Sequence, residues 1–432
     1  MIRKNILALA GSVALATNAF AADTYPRIGT ISTGGAQEYY DASYQREIAS
    51  VDVAVLSTYP GWGKGKGTTM QAAVSQIKAI NPNTKVFLYT VGESLLQPAD
   101  ATWASLSSQI DAQKWWLYTT GVGTTKVLSS FGKGRYSLNI SSQSRKNSAG
   151  QNFAQWYGTW VATNLGAPVP AADGMFTDNV YWSPRVDGDW NADGTIDSQK
   201  NTTVQTWFRQ GTVQYLASLK AGMPGKLQIA NAADWGLSTA VLTEYVGKYN
   251  GAVFEGMLGR GYSIETYAGW GEMMKGYRKI MATVAAPKYV LCVQGGQITD
   301  YQAMRYGLAS CSLDDGYYSF TNDADSYHHI ARFDEYEADL GMPTSSPPTA
   351  AWQNGVYRRD FENGIVLVNP KGNGARTVSL GGEFVKLKGT QVPAINSGAT
   401  VTSVTLSDRD GLILKRKSIV KKPETPGGFV VQ

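Results

Sequence analysis

The sequence predicts an α/β protein, a (β/α)8 TIM barrel followed by a small antiparallel β-sandwich domain. Short apolar runs recur up to about residue 340, and each is followed by a polar loop and a helical pattern. The runs are continuous rather than alternating, which is typical of parallel strands that are buried on both faces. A doubly wound sheet shares this pattern, but no glycine-rich nucleotide-binding motif follows the first run, which disfavours that alternative. After a proline-rich segment the pattern changes to short strands separated by turns, which indicates a second domain.

Apolar runs and helical segments alternate along the predicted barrel. The strands are predicted at Val51–Ser57, Lys85–Val91, Arg135–Ile140, Gly174–Thr177, Lys226–Asn231, Ala252–Glu255, Tyr289–Val293 and Gly316–Phe320. The helices between them are predicted at Thr68–Ile80, Gly150–Asn164, Val204–Ala221, Thr239–Tyr249, Glu265–Thr283, Asp300–Ser310 and Ala324–Leu340. A strand followed by a helix, repeated around one core, is the pattern of a parallel barrel.

The predicted domain boundaries follow the changes in composition. Residues 25–340 form the barrel, residues 341–350 a Pro/Ser-rich linker, residues 351–416 the C-terminal β-sandwich domain and residues 417–432 a flexible tail. Short strands separated by Asn-Gly, Gly-Gly and Asp-Gly turns indicate the β-domain. These strands are predicted at Val356–Phe361, Ile365–Asn369, Arg376–Leu380 and Leu412–Lys415.

Residues 1–21 have the pattern of a secretory signal peptide that is cleaved after Ala21. Arg3 and Lys4 provide the positive start, and an apolar stretch precedes the small-residue cleavage site. We therefore expect a secreted or periplasmic bacterial protein. No later segment has about 18 consecutive apolar residues, so no membrane span is predicted. Without Arg3 and Lys4 the net charge falls from +5 to +3, which is too weak and too scattered to indicate nucleic-acid binding.

The chain contains two cysteines and two histidines, and both numbers limit its chemistry. Export permits a disulfide between Cys292 and Cys311, with two buried free thiols as the alternative. The two histidines, His328 and His329, are adjacent and predicted to lie on a helix. This excludes a zinc site with several histidines and a histidine-dependent triad spread along the chain. No organic cofactor is expected.

The working residues of a barrel lie at the C-terminal ends of its strands. Asp178 follows the predicted fourth strand and Glu255 ends the sixth, so their carboxylates can converge on one side of the barrel mouth. Cleavage of a glycosidic bond uses two such carboxylates. We predict Asp178 as the nucleophile or stabilising carboxylate and Glu255 as the general acid/base. The alternatives are a helix cap or cation ligand for Asp178 and a structural hydrogen-bonding role for Glu255.

The candidate residues at and just after the other strand ends are carboxylates, amides and aromatic rings, with no Lys, Cys or His among them. Such side chains suit the hydroxyl groups of a sugar and an oxocarbenium-like transition state rather than phosphate or redox chemistry. The predicted substrate-binding residues are Tyr59, Tyr89, Glu93, Asn139, Tyr181, Trp182, Asn231, Trp235, Gln294 and Asp323.

An acidic loop follows the strand that carries Asp178. Counted from Asp189, its residues match those of a calcium-binding loop at positions one, three, five, six and nine. Gly194 permits the turn, whereas Lys200 stands where a bidentate glutamate would be expected. The loop is therefore predicted either to bind a structural Ca²⁺ or to form an acidic Asx-turn loop. The candidate metal ligands are Asp187, Asp189, Asn191, Asp193 and Asp197.

Two stretches carry a family resemblance. Asp173-Gly-Met-Phe-Thr-Asp-Asn-Val-Tyr-Trp-Ser-Pro-Arg185, with the acidic loop after it, and Arg359-Asp-Phe-Glu-Asn-Gly-Ile-Val-Leu-Val-Asn-Pro370 resemble a bacterial family described as hypothetical glycosyl hydrolase family fifteen. The resemblance covers most of residues 25–415 and implies a barrel, a C-terminal β-domain and hydrolysis of glycosides. The chain also distantly resembles α-galactosidase-like barrels, which place a nucleophilic Asp on the fourth strand and an acid/base carboxylate on the sixth. That implies retention of configuration at an α-linkage, although a Glu stands where those barrels usually have Asp.

These observations predict a secreted glycoside hydrolase that cleaves a polysaccharide or oligosaccharide. The first alternative is a non-catalytic, lectin-like barrel that binds carbohydrate, which would place Glu255 toward the core. The second is a structural envelope or assembly protein, which would have a large exposed apolar patch and no acidic cleft.

Overall fold

The structure, a computed structural model, describes residues 24–62, 67–121, 123–232, 234–235, 243–325 and 327–417. In chain order the strands are β1 (Gly29–Ser32), β2 (Val53–Leu56), β3 (Lys85–Val91), β4 (Ser94–Leu96), β5 (Arg135–Ser137), β6 (Gly174–Asp178), β7 (Leu227–Asn231), β8 (Gly251–Leu258), β9 (Tyr289–Gly296), β10 (Tyr317–Asn322), β11 (Tyr357–Asp360), β12 (Gly364–Asn369), β13 (Arg376–Lys386), β14 (Thr400–Leu406) and β15 (Asp410–Arg416). The α-helices are α1 (Ala36–Tyr40), α2 (Ala42–Ile48), α3 (Met70–Ile80), α4 (Ala104–Gln113), α5 (Phe153–Val161), α6 (Thr202–Gly222), α7 (Ile264–Ala268), α8 (Trp270–Thr283) and α9 (Tyr301–Ser312). A π-helical turn (Ala162–Gly166) continues α5, and a 3-10 turn covers Asp334–Glu337.

Eight parallel strands form a barrel in the order β1, β2, β3, β6, β7, β8, β9, β10. A bridge between Ile28 and Tyr318 brings the first and last strands together, with the Tyr318 N–H donating to the Arg27 carbonyl at 2.8 Å. The interior is filled by Ile31, Val53, Val55, Phe87, Phe176, Ile229, Val253, Leu291 and Val293. The barrel is therefore a packed core with its site at one end, and the predicted TIM barrel is confirmed.

One predicted strand is wrong, and one barrel strand was not predicted. Arg135–Ile140 does not enter the barrel, because β5 pairs antiparallel with β4 to form a hairpin beside it. Polar and apolar residues alternate in this segment, which is the pattern of a strand with one buried face. The barrel instead begins with the four-residue strand β1, which precedes the first predicted run. Relative to the prediction, the barrel has one strand fewer and one strand more before Asp178. This residue therefore still ends the fourth barrel strand, and Glu255 still lies on the sixth.

The predicted helix Ala324–Leu340 is also wrong. His328 and His329 lie in bends, and the helical structure within this range is limited to the short 3-10 turn. The Asp334 carboxylate in that turn accepts the Thr390 backbone N–H at 2.8 Å, so the segment is fastened to the second domain. Tertiary hydrogen bonds of this kind override a helical pattern in the sequence.

Some predicted segments lie outside the described residues. These are the signal peptide of residues 1–21 and the tail from residue 418 onward. Residues 239–242 of the predicted helix Thr239–Tyr249 are also outside, and residues 243–248 form turns rather than a helix. In the part of the chain that the structure describes, no helix has the length and apolar character needed to cross a membrane.

The second domain is a five-stranded antiparallel sheet in the order β11, β12, β15, β13, β14. One face has its own core, formed by Val356, Ile365, Leu367, Val378, Leu380, Phe384, Val404, Leu406, Leu412 and Leu414. Side chains on the other face of β12 and β15, including Val366, Val368 and Ile413, join the core that surrounds the barrel. The strand β14 was not predicted, since it exposes most of its side chains and lacks a clear apolar pattern.

A buried ion pair fixes the second domain to the barrel. Arg305 on α9 contacts Asp410 on β15 at 3.1 Å, and both side chains are nearly fully buried. At Gly411 an added Cβ would lie 2.3 Å from the Arg305 carbonyl oxygen, so β15 approaches the helix backbone closely. In the predicted linker, Pro343 bridges to Phe361 and lies against this domain. The β-domain is therefore anchored directly to a barrel helix.

Cys292 and Cys311 form a disulfide, which decides between the two alternatives left open by the sequence. Cys292 lies on β9 and Cys311 on α9, so the bond ties a barrel strand to the helix that carries the second domain. The two residues are separated by 19 positions. Closing a loop of that size stabilises a folded chain by about 3 kcal/mol, mainly by restricting the unfolded state.

We predict that the double variant Cys292→Ala/Cys311→Ala unfolds with a free energy about 3 kcal/mol lower than that of the wild type. Chemical denaturation of both proteins, with and without dithiothreitol, measures this difference. The reductant should lower the stability of the wild type and leave the variant unchanged. Equal stability of the reduced and oxidised wild type would contradict the prediction.

Candidate active site

The amide of Asn231 lies between the two predicted catalytic carboxylates. Its Nδ2 donates to Asp178 Oδ1 at 2.9 Å and to Glu255 Oε2 at 2.7 Å. The three residues come from the adjacent strands β6, β7 and β8. Since Asp178 and Asn231 end their strands and Glu255 lies beyond the middle of a longer one, the side chains meet at the C-terminal mouth of the barrel.

Asp178 is a half-buried carboxylate surrounded by hydrogen-bond donors. Besides Asn231, the Tyr89 hydroxyl donates to Oδ2 and the Asn179 backbone N–H donates to Oδ1 at 2.9 Å. Asn179 has a φ of 58°, a left-handed conformation that Asn tolerates better than most residues. Burial raises the pKa of Asp178, the Tyr89 and Asn231 hydrogen bonds oppose the shift, and the nearby charge of Glu255 adds to it. The donors thus stabilise a negative charge that the barrel desolvates.

Glu255 is only partly buried and is held from the opposite side of the mouth. The hydroxyl of Tyr327, in the segment after β10, donates to Glu255 Oε1 at 2.7 Å. Burial and the charge of Glu255 raise the pKa of Tyr327, and burial and the charge of Asp178 raise that of Tyr89. Both phenols therefore keep their protons at neutral pH and remain donors to the two carboxylates.

An open cleft leads to this pair. Asp178, Asn179, Glu255 and Tyr89 line its base, and the β4–β5 hairpin with the start of α4 forms one wall. This hairpin wall consists of Ser94, Leu95, Leu96, Asp100, Trp103, Leu106, Phe131, Lys133, Arg135 and Leu138. Its Phe131 and Leu96 side chains are among the large apolar side chains that remain exposed to solvent. The cleft thus combines two carboxylates with an amphipathic wall, the composition expected where sugar rings bind.

Several predicted substrate-binding residues lie at or near the pair. Tyr89 and Asn231 contact the catalytic carboxylates directly, as described above. Glu93 is buried below the cleft, where the Ser129 hydroxyl donates to it at 3.2 Å and burial raises its pKa. Asp323 lies at the rim and pairs with Arg260 at 2.8 Å. Tyr59 follows β2 and packs against Trp62, outside the cleft.

Trp235 and Gln294, which were predicted to bind substrate, lie in the core rather than on the cleft surface. Trp235 is fully buried, and its indole N–H donates to the Val180 carbonyl at 2.8 Å. Gln294 is 1% exposed and accepts the Tyr318 hydroxyl at 2.8 Å. Gln294 lies on β9 and Trp235 follows β7 closely, but their side chains point away from the mouth and into the surrounding core.

Asn139, Tyr181 and Trp182 also serve the scaffold rather than the cleft surface. Asn139 is buried beside the hairpin, and its amide donates to the backbone carbonyls of Asp189 and Trp190. The Tyr181 hydroxyl donates to the Asn179 side chain at 2.9 Å and the ring is nearly buried. The partly buried Trp182 packs against the core, and its carbonyl accepts a hydrogen bond from an arginine of α6. Asn139 was misplaced because the strand before it is a hairpin strand.

The acidic loop is held together by hydrogen bonds within itself. The buried Asp189 carboxylate accepts the backbone N–H groups of Asp193 at 3.0 Å and Gly194 at 2.9 Å, and Asp197 accepts the Trp190 N–H at 3.0 Å. Asn191 donates to the Asp193 carboxylate at 2.9 Å. Over the described residues, no three His, Cys, Asp or Glu side chains are grouped closely enough to hold a metal ion. The Asx-turn description therefore accounts for the loop as it stands, and calcium binding by Asp187, Asp189, Asn191, Asp193 and Asp197 stays a prediction.

Sequence reasoning missed the cleft residues that come from loops. Tyr327 lies in a segment interpreted as helix, Tyr262 lies beyond the sixth strand, and Trp103 and Phe131 belong to the hairpin wall. Their aromatic character was the available signal. What was missing was the three-dimensional course of the loops, which strand ends alone do not provide.

Comparison with known families identifies the chain. The model of Hypothetical glycosyl hydrolase family 15 matches residues 78–365, which is more than half of the chain and includes both catalytic candidates. The chain belongs to this family of glycoside hydrolases. It is therefore an enzyme that hydrolyses glycosidic bonds, and its substrate is a carbohydrate. No curated protein sequence matches the chain.

Solved structures with a similar course of the chain are also glycoside hydrolases. The glycoside hydrolase domain of PelA from Pseudomonas aeruginosa is 13% identical, with 70% of this chain and 98% of that chain covered and a TM-score of 0.42. A family 27 β-L-arabinopyranosidase from Geobacillus stearothermophilus is 10% identical, with 93% and 98% covered and a TM-score of 0.49. A family 36 α-galactosidase, AgaA, from the same organism is 10% identical, with 90% and 55% covered and a TM-score of 0.47. The family assignment rests on the sequence match alone.

We predict that Asp178→Asn stabilises the protein by about 1 kcal/mol at pH 7 while it removes activity, because the variant loses a partly buried charge. The Tyr89 hydroxyl can turn to accept a hydrogen bond from the new amide. Folding raises the pKa of the Asp178 carboxyl. The wild-type protein therefore loses stability as the pH rises from the pKa of the unfolded state through that of the folded state. At lower pH the carboxyl is protonated in both states, and this loss of stability is absent. The gain in melting temperature should therefore vanish as the pH falls below about 4.

Thermal melts from pH 4 to pH 8 measure the effect, with Asp323→Asn as the control. Asp323 is a carboxylate at the same rim but is more exposed and paired with Arg260, so its replacement should give no gain at pH 7. A melting temperature for Asp178→Asn that is below the wild-type value at every pH would contradict the account.

Proposed function

We propose that the protein is a secreted or periplasmic retaining glycosidase that cleaves a polysaccharide. Asp178 acts as the nucleophile and Glu255 as the general acid/base. The proposal goes beyond the glycoside hydrolase family by assigning the two roles, the stereochemical outcome and the polymeric substrate.

The observation that carries this proposal is the shared hydrogen-bond donor. One nitrogen of Asn231 is 2.9 Å from an Asp178 oxygen and 2.7 Å from a Glu255 oxygen. These two oxygens can be no farther apart than the sum of the distances, which is below about 6 Å. Retaining glycosidases hold their carboxyl groups about 5–5.5 Å apart, whereas inverting enzymes need about 6.5–9.5 Å to admit a water molecule between them.

The environments of the two carboxylates support their separate roles. Asp178 is half-buried, accepts donors on both oxygens, and has a pKa that burial raises, so its charge is partly desolvated and its orientation is fixed. Attack on the anomeric carbon converts it into a glycosyl ester and removes that charge, which favours the reaction. Glu255 is half-buried and opens onto the cleft, where it can reach both a leaving-group oxygen and a water molecule.

The reaction then runs in two steps. In the first, Glu255 donates its proton to the glycosidic oxygen while an oxygen of Asp178 bonds to the anomeric carbon and the aglycone leaves. In the second, Glu255 takes a proton from water as the water oxygen attacks the same carbon and the ester bond to Asp178 breaks. Tyr89, Tyr327 and Asn231 keep the two carboxylates in place throughout.

Polysaccharide as substrate and export as location rest on separate observations. The cleft is open and extends along the hairpin wall rather than closing into a pocket. The signal pattern of residues 1–21 and the Cys292–Cys311 disulfide both fit an oxidising compartment outside the cytoplasm. A lectin-like alternative would have Glu255 facing the core, but Glu255 lines the cleft.

We predict that the wild type releases reducing ends from at least one member of a panel of neutral, amino-sugar and uronic-acid polysaccharides. Asp178→Ala and Glu255→Ala should each lower that rate about 1,000-fold or more, the range expected for a lost catalytic group. Azide, which fills the space of either side chain, distinguishes the two roles. With Asp178→Ala it should form a glycosyl azide of inverted configuration, and with Glu255→Ala one of retained configuration.

Glu383→Ala, which removes an exposed carboxylate of the second domain, serves as the control and should stay active. Near-normal activity of both catalytic variants would disprove the assignment. The opposite pattern of azide products would exchange the two roles.

A further inference from the structure

An exposed tyrosine ring lies directly beside Glu255. Gly256 follows Glu255 on β8 and has a φ of +70°, at an irregular part of that strand where the register with β9 shifts. A Cβ atom built on Gly256 would lie 2.6 Å from Cε2 of Tyr262. The tyrosine ring therefore rests on the backbone of Gly256, and only a glycine leaves room for it there.

Tyr262 is still 58% exposed in spite of this contact. Burial and the charge of Glu255 raise the pKa of its hydroxyl. An exposed ring on a protein surface is common by itself. This ring is different, because it borders the carboxylate that delivers a proton to the leaving group.

The loop that carries Tyr262 is fixed at several points. Arg260 pairs with Asp323 beyond β10 at 2.8 Å, and an added Cβ at Gly259 would lie 1.9 Å from the Gly295 carbonyl oxygen. Ser263 then caps α7 by accepting the Thr266 backbone N–H. A ring that is held in this way binds a ligand with little loss of conformational freedom.

Tyr262 and the hairpin wall lie on opposite sides of the catalytic pair. The strand order around the mouth runs from β3, which precedes the hairpin, through β6, β7 and β8. The hairpin wall with the exposed ring of Phe131 is thus on the Asp178 side, and Tyr262 is on the Glu255 side. A chain of sugars laid across the mouth would contact an aromatic surface on both sides of the scissile bond.

We propose that Tyr262 is the stacking platform for the sugar on the leaving-group side, so that the enzyme cleaves within a polysaccharide rather than only at its ends. This inference rests on the proposed function, because it uses Glu255 as the acid/base. Aromatic rings offer a flat apolar face that a sugar ring can cover. The substrate would then be a polymer with sugar units bound on both sides of the bond that breaks.

The test compares two substrates and three variants. The substrates are the panel polysaccharide that the wild type cleaves and the glycosyl fluoride of its sugar, which has no leaving-group sugar. Tyr262→Ala should lower kcat/KM on the polysaccharide about 10-fold, the change that corresponds to about 1.4 kcal/mol, and leave the fluoride unchanged. Tyr262→Phe should behave like the wild type, since it keeps the ring.

Tyr267→Ala is the matched control. Tyr267 is 55% exposed and lies five positions further on, but the charge of Glu255 does not contribute to its pKa, in contrast to Tyr262. Its replacement should leave both rates unchanged. Size-exclusion analysis of early products should give long oligosaccharides with the wild type.

The possible failures can be told apart. Three results would disprove the stacking role of Tyr262. They are full activity of Tyr262→Ala on the polysaccharide, an equal loss of activity on the fluoride, and release of single sugars only. Failure of the wild type to cleave either substrate would overturn the proposed function, and the platform would fall with it.

Discussion

The hydrogen bonds from the Asn231 amide to two carboxylates are the constraint around which the active site is organised. Two carboxylates at this distance repel one another when both are ionised, and the amide placed between them reduces that repulsion. Asn231 can occupy that position because β6, β7 and β8 are neighbours in a closed parallel barrel. The strand order thus determines the spacing of the carboxylates, and the spacing determines which glycosidase mechanism fits.

The remainder of the fold supports this arrangement at increasing distances. Tyr89 and Tyr327 orient the two carboxylates from opposite sides of the mouth. Burial of Asp178 carries an electrostatic cost, which the packed barrel interior and its donors offset. Farther out, the Cys292–Cys311 disulfide and the Arg305–Asp410 pair connect β9, α9 and the second domain. The second domain therefore braces one side of the barrel.

The positions of the two candidate carboxylates could be predicted from the sequence because a carboxylate after a short apolar run has a defined position in a barrel. The prediction survived an incorrect strand, since β1 was missed and Arg135–Ile140 was added in its place. The direction of a side chain at a strand end was not predictable. Gln294 lies on β9 and Trp235 follows β7 closely, yet both side chains point into the core that surrounds the barrel. One residue along a strand reverses the side-chain direction, and a strand end is rarely located that accurately.

The residues from loops escaped prediction for a different reason. Tyr327 and Tyr262 reach Glu255 through segments whose course depends on tertiary contacts, such as the Arg260–Asp323 pair. An aromatic residue in a loop carries no sequence signal that distinguishes a site contact from a core contact. The same applies to the acidic loop, whose spacing fits a calcium site although its hydrogen bonds already hold it together.

The most direct test of the central claim is the anomeric configuration of the first product. Proton NMR in D₂O can follow the reducing end that forms in the first minutes, before mutarotation equilibrates it. The account predicts the same configuration as in the substrate, because the space between Asp178 and Glu255 suits a covalent intermediate and not an intervening water molecule. Formation of the opposite anomer would contradict it.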